Sequence, residues 1–262
     1  MAPPAYFTRA GDRFVPAPHA RSWWAPKMLH GRLLGGLLAR TLEAEHGAPG
    51  LRFGRLTVDL FRNAPLEPVE VTSLRIRDGH RIRVTEATLT SEIGLVARAT
   101  AVQLRASEQP PGRVPATPDW DAPDPHTLPP AKPGSIPQRW RFNEGDLRRM
   151  WMREPGALVD GEELSPFVRA ALAADMASPL AHGSDEDLEF INADYTLYLS
   201  RPPVGEHIGL QSGGHTSADG VAVGHCTVYD RLGPVGYSVT AAVANPGARP
   251  PRRAKAAEQA AG

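Results

Sequence analysis

The 262-residue chain carries 29 lysines and arginines against 29 aspartates and glutamates, so its formal charge at neutral pH is zero. No global field favours nucleic acid or an anionic membrane, and an anionic ligand must be met locally. One cysteine, Cys226, excludes an internal disulfide and a cysteine-rich zinc centre, and its alternating flank VGHCTVYD reads as a structural thiol in a strand.

The start, MAPPAYFTRAGDRFVPAPHARSWW, has no apolar core of signal-peptide length, and no later stretch reaches the ~18 apolar residues of a membrane span. The expected setting is cytoplasmic. The next stretch, KMLHGRLLGGLLARTLEAEHG, predicts a helix over 28–46 despite Gly31, Gly35 and Gly36, each costing about 0.5–1 kcal/mol relative to alanine. At 100° per residue, Leu33, Leu37, Leu34, Leu38, Leu42, Gly31, Gly35 and Ala39 sweep about two thirds of the circumference, with Arg32, Gly36, Arg40 and Glu43 as a polar stripe. Gly31, Gly35 and Ala39 form a side-chain-poor ridge, which predicts close approach by a curved sheet. Alternating strands follow in RLTVDLF, VEVTSLRI, HRIRVTEATLT and LVARATAVQL, with turns at Asp78-Gly79 and Ile93-Gly94.

Residues 106–138 are too proline-rich for a helix or central strand and predict an extended linker. Beyond it, Ser165-Pro166 signals an N-cap and first helical position, and FVRAALAADMAS continues until Pro179, the expected stop. Strands resume in DLEFINADYTLYLS, HIGLQS, GVAVGHCTVYD and GPVGYSVTAAV, and the tail from Pro246 has little to bury. The halves share a grammar: DLFRNAPLE parallels YLSRPPVGE, and EIGLVARAT parallels RLGPVGYSV. The expected class is α+β, a helix wrapped by a curved antiparallel sheet and then duplicated. The layout is an N-terminal unit over 1–105, a linker over 106–138, a C-terminal unit over 139–245 and a disordered tail over 246–262.

The motifs LHGRLLGGLLARTLEAE, RDGHRIRVTEATL and GLVARATAVQL, with LAADMAS, NADYTLYLSRP and GPVGYSVTAAV, resemble the acyl-CoA thioesterase II family and the thioesterase-like double-hotdog proteins common in actinobacteria. The resemblance covers roughly 20–105 and 139–245. It implies a double hotdog, an acyl-CoA or carrier-bound thioester of a lipid or aromatic acid as substrate, and no cofactor beyond the CoA of the substrate. The balanced charge leads to the expectation of no nucleic-acid partner, and two units in one chain leave room for a homo-oligomer.

In such enzymes a carboxylate activates water while a helix start polarises the carbonyl, since orphan N–H groups and the positive dipole end suit an oxyanion. His30 and Gly31 sit at the first helix start, as a carbonyl seat or as an ordinary helix entrance; Ser165 opens the second. Asp175 falls on an apolar helix surface, as the base or the nucleophile, or as a structural carboxylate bonded to Asn192, Ser178 or a backbone amide. The AD element also resembles the acid-bearing helix of phenylacetyl-CoA-type hotdog thioesterases. In thioesterase II enzymes water is oriented by an aspartate just past this helix, a threonine or serine early in the next strand and a glutamine in the last; by motif these fall on Pro179, Asn192 and Thr240. Asn192 and Thr240 can position water but cannot act as base. Asp194 alternates with Asn192 and is expected on the same sheet face, lining a polar pocket or the surface. The expected catalytic set is Asp175, Asn192 and Thr240, the substrate-binding set His30, Gly31 and Asp194, and no metal site is expected. A hotdog that binds acyl groups without turnover is the alternative.

Overall fold

A computed structural model describes residues 3–132, 134–185 and 188–245; the predicted tail from Pro246 lies outside them. A hairpin of β1 (Phe7–Ala10) and β2 (Arg13–Pro16) precedes α1 (Gly31–His46), which is followed by β3 (Leu51–Leu60), β4 (Val69–Asp78), β5 (Ile82–Ser91) and β6 (Gly94–Arg105). The second half repeats the order: β7 (Gln138–Arg141) and β8 (Arg149–Arg153), then α2 (Pro166–Ala174) and α3 (Ala177–His182), then β9 (Phe190–Asn192), β10 (Asp194–Leu199), β11 (His207–Ala218), β12 (Val221–Asp230) and β13 (Gly233–Ala244).

All strands join one antiparallel sheet in the order β1-β2-β4-β5-β6-β3-β10-β13-β12-β11-β8-β7, with β9 also on β13. The order reads identically outward from its centre, where β3 pairs with β10 from Arg55 opposite Tyr198 to Asp59 opposite Asp194. The matched glycine turns EIG and RLG hold positive φ at Gly94 and Gly233, where a side chain would be strained. Ahead of each, the matched arginines anchor the turn: Arg62 donates to the Ile93 carbonyl at 3.0 Å, and Arg201 holds Asp230 bidentately.

The glycines of α1 have a different partner from the one their spacing predicts. Gly31 faces Asp175, Gly36 faces Leu172, and Glu43 bonds Ser165, so α1 and α2 pack antiparallel along their lengths. A methyl on Gly36 would lie 2.6 Å from Leu172 Cδ2, and one on Gly35 would overlap the Tyr195 hydroxyl. The thin face therefore admits a second helix and one tyrosine, rather than the sheet backbone. Burial of Leu33, Leu34, Leu37, Leu38 and Leu42, worth about 1.5–3 kcal/mol each, outweighs the glycine cost.

The expected polar stripe is also corrected. Arg32 and Gly36 are buried, and Arg40 lies half-buried in a bidentate pair with Glu162 at 2.8 and 2.5 Å. Pro179 does not end the second helix. The chain breaks earlier, at Asp175 and Met176, and Pro179 is the third residue of α3, in a first turn whose amides need no helical acceptor.

The proline-rich segment is extended apart from one 3-10 turn at Pro125–Thr127, and it is strapped to the second half. Trp120 stacks on Tyr229 with centroids 4.3 Å apart, Trp151 donates its indole N–H to the Pro123 carbonyl at 2.9 Å, and Asp121 pairs with Arg149. No helix among the described residues is long and apolar enough to cross a membrane.

Candidate active site

The antiparallel helix pair places the last residue of α2's cap against the first turn of α1. Asp175 follows Ala174, the end of α2, and its carboxylate lies beside the space a methyl on Gly31 would occupy, 3.6 Å from Oδ1. Asn192 donates Nδ2–H to Asp175 Oδ1 at 3.0 Å, and the Arg32 backbone amide is a second donor to the carboxylate. Asp175 is only 6% exposed, and burial raises its pKa although Asn192 and Arg32 pull the other way. Both structural partners expected for this carboxylate, Asn192 and a backbone amide, are thus present; neither excludes proton transfer.

His30 is the N-cap of α1. Its Nδ1 accepts weakly from the Arg32 amide at 3.4 Å and stands 4.0 Å from Asp175 Oδ2. Burial, then the Arg32 and Arg139 charges, hold this imidazole well below its usual pKa, so the pair is a neutral ring beside a carboxylate and not an ion pair. Ser165 is the N-cap of α2, with Oγ accepting from Val168 N at 3.1 Å, but it lies at the other end of the helix pair.

Thr240 donates its hydroxyl to the Asp194 carbonyl at 2.9 Å, and Asn192 Nδ2 reaches the same carbonyl at 3.4 Å. The three residues of the expected catalytic set therefore meet around one strand break. That break corrects the expectation for Asp194. The strand is interrupted at Ala193, whose amide bonds Ala241 O and whose carbonyl takes Leu60 N–H. Asn192 consequently turns to Asp175, while the Asp194 carboxylate accepts from Ala241 N at 2.8 Å, away from it. Burial raises the Asp194 pKa. Tyr195, Leu197 and Leu199 face the core, and Tyr195 donates to the Ala171 carbonyl at 3.1 Å.

Several neighbours carry no signal in the linear pattern. Arg32, two residues into α1, is locked to Glu154 at 2.5 Å and donates to the Tyr6 hydroxyl, partners on opposite sides of it in sequence. Trp23 meets His30 edge to face at 4.7 Å, with the Arg139 guanidinium 4.4 Å over its ring. His182, buried against the backbone of Thr240, shares Nδ1 with His215 at 2.8 Å; burial and that neighbour push it down to about 4. No three His, Cys, Asp or Glu side chains among the described residues converge as a metal ion requires.

The long α1 packs on β3 to β6 and α3 packs on β11 to β13 of one antiparallel sheet, the layout of a hotdog-fold protein. Solved structures agree: a conserved hot dog fold protein of unknown function from Alicyclobacillus acidocaldarius is 15% identical, with a TM-score of 0.69 over 91% of this chain and 94% of its own. The tesB protein of Mycobacterium avium subspecies paratuberculosis is 17% identical at a TM-score of 0.60 over 91% and 95%, and the acyl-CoA thioesterase II TesB2 of Mycobacterium marinum is 16% identical at 0.58 over 89% and 93%. Residues 20–104 match the family described as the acyl-CoA thioesterase N-terminal domain, and residues 103–243 match its C-terminal domain. The chain belongs to the acyl-CoA thioesterase family. No protein of curated function matches it.

Proposed function

We propose that the chain is a double hotdog, with units over 1–105 and 139–245 joined by 106–138, that hydrolyses an acyl-CoA or carrier-bound thioester of a lipid or aromatic acid. Its catalytic set is Asp175 as base, with Asn192 and Thr240 positioning water. The observation that carries this reading is the buried Asp175 carboxylate at the start of α1, fixed by Asn192. With α2 ending at Ala174, Asp175 stands just past the helix, which supports reading it, in preference to Pro179 a turn further on, as the counterpart of the family's water-orienting aspartate.

In the reaction, Asp175 removes a proton from water as the oxygen attacks the thioester carbon. The carbonyl oxygen gains charge and is met at the helix start by the Gly31 amide, where the missing side chain lets it approach. Collapse of the tetrahedral intermediate breaks the carbon–sulfur bond, and the proton on Asp175 passes to the departing sulfur, giving a free acid and a thiol. His30, neutral at this entrance, adds no charge that would hold Asp175 protonation low.

One observation favours the reading of a binder without turnover: the Thr240 hydroxyl is engaged by the Asp194 carbonyl. Asp175→Asn with a panel of acyl-CoAs decides between them. Hydrolysis by the wild type and a loss of about 10²-fold or more in the variant supports general-base catalysis; turnover equal in both removes Asp175 from the reaction.

A further inference from the structure

The first half holds a second copy of the framework that carries the site. The halves match at a separation of 139 residues, that of Thr57 and Thr196, which lie opposite each other at the centre of the sheet and bond side chain to side chain at 3.1 Å. The strand break beside Asp175 has a counterpart at this spacing. From Asn192 opposite Ala242 to Thr196 opposite Val239, four steps along one strand meet three along β13; from Phe53 opposite Gln103 to Arg55 opposite Val102, two steps along β3 meet one along β6. Each half thus holds one extra residue at the same place, Ala193 in one and Gly54 in the other. The residue before it turns inward in both: Asn192 to Asp175, and Phe53 to stack on Phe167 near the start of α2 at 4.2 Å.

The fold makes this irregularity without a carboxylate, since the first half has Arg55 where the second has Asp194. The hydrogen-bonding side chains around the second break, Asn192, Asp194 and Thr240, match Phe53, Arg55 and Ala101 in the first half. Asp194 therefore goes with the site and not with the fold. It is also where the other two meet: its carbonyl accepts from the Thr240 hydroxyl at 2.9 Å and from Asn192 Nδ2 at 3.4 Å. Its carboxylate accepts from the amide of the residue after Thr240, Ala241, at 2.8 Å. An extra residue leaves ladder groups without their regular partners, and a carboxylate that takes such a donor by a charge-assisted bond fixes the two strands at the slip.

We propose that Asp194 is a positioning residue of the Asp175 site: its carboxylate clamps Ala241, and the clamp holds the Asp194 carbonyl where it sets Thr240 and turns Asn192 onto Asp175. This rests on the reading of Asp175 as the base. Asp194 acts through Asn192 and Thr240, its own carboxylate pointing away from Asp175.

The test is steady-state kinetics on an acyl-CoA that the wild type hydrolyses. Asp194→Ala is expected to lower kcat about tenfold with KM within about twofold, while Asp194→Asn, which keeps an oxygen in the same place, stays within about threefold of the wild-type kcat. In an Asn192→Ala background, Asp194→Ala should cost no more than about twofold, because the main group it positions is gone. If alanine at this strand position prevents folding, Asp194→Val, shaped for a strand and equally without an acceptor, carries the same expectations. A wild-type kcat in Asp194→Ala, a rise in KM alone, a loss in Asp194→Asn as large as in alanine, or an equal loss in both backgrounds overturns the proposal. If the wild type hydrolyses no acyl-CoA, the hydrolysis reading fails by itself, and carbon-13 titration of the Asp175 carboxyl still decides. Asn192 pulls the pKa of that carboxyl down, so Asp194→Ala should raise it toward the value in Asn192→Ala; an unmoved titration overturns the proposal.

Discussion

Replacement of Glu154 by alanine tests whether the buried charge behind the site is held by its partner. The Arg32 guanidinium is 2% exposed and the Glu154 side chain fully enclosed; Arg32 bonds Glu154 Oε2 at 2.5 Å, and Tyr6 donates to Oε1 at 2.7 Å. Burial opposes the arginine's charge, and Glu154 and Tyr6 more than offset that opposition, so its pKa stands raised. Without Glu154 a guanidinium is left in the core with a tyrosine hydroxyl as its main partner, a loss of about 3–5 kcal/mol. For a chain of this size that corresponds to a melting point lower by on the order of 10 °C. Urea unfolding at pH 7, followed by tryptophan fluorescence, measures it directly. The double variant Arg32→Met with Glu154→Leu removes both charges and should recover most of the loss. A single variant within about 1 kcal/mol of wild type, or a double variant as unstable as the single, would refute the reasoning.

The acidic limb of kcat/KM should lie above the usual aspartate range, because burial raises the pKa of Asp175. The folded state then holds this proton more tightly than the unfolded chain, so its contribution to stability falls as pH rises from the unfolded value through the raised one; a pH-independent difference in stability between wild type and Asp175→Asn would contradict this. Gly35→Ala should destabilise by about 1–3 kcal/mol by displacing Tyr195 from the Ala171 carbonyl, and Tyr195→Phe should restore part of it in a double-mutant cycle. Cys226, with its thiol pushed up to about 12 by burial, should resist a disulfide reagent in the native protein and react fully in denaturant.

The long elements were readable because their periodicities are strong. The run of α1, the N-caps at His30 and Ser165 and the glycine turns before β6 and β13 follow from patterns within a few residues of each other. The edge hairpins β1–β2 and β7–β8 carry no such pattern: four or five residues each, next to prolines and charges, they become strands only because a sheet edge exists to receive them. A helical wheel sets Arg32 on the polar stripe because it equates charge with exposure, whereas the partner that buries it lies 122 residues away. Asp175 could be selected as an acid on an apolar surface, but its neighbour across the gap, the start of α1, is set by helix packing. The inward turn of Asn192 depends on the break at Ala193, a tertiary event with no turn residue to announce it.

The helix pair has one further consequence. Asp175 stands ten residues after its N-cap Ser165, and Arg40 stands ten after its N-cap His30, so the two occupy equivalent stations on antiparallel partners. At one station a carboxylate faces the opposite helix start; at the other, Arg40 is closed off by Glu162, and Glu43 covers the Ser165 end. The pseudo-twofold symmetry of the sheet does not extend to its chemistry. A tight-binding thioester analogue should accordingly titrate a single equivalent per polypeptide, while the Arg40–Glu162 pair at the second station ties α1 of the first half to the segment ahead of α2 in the second.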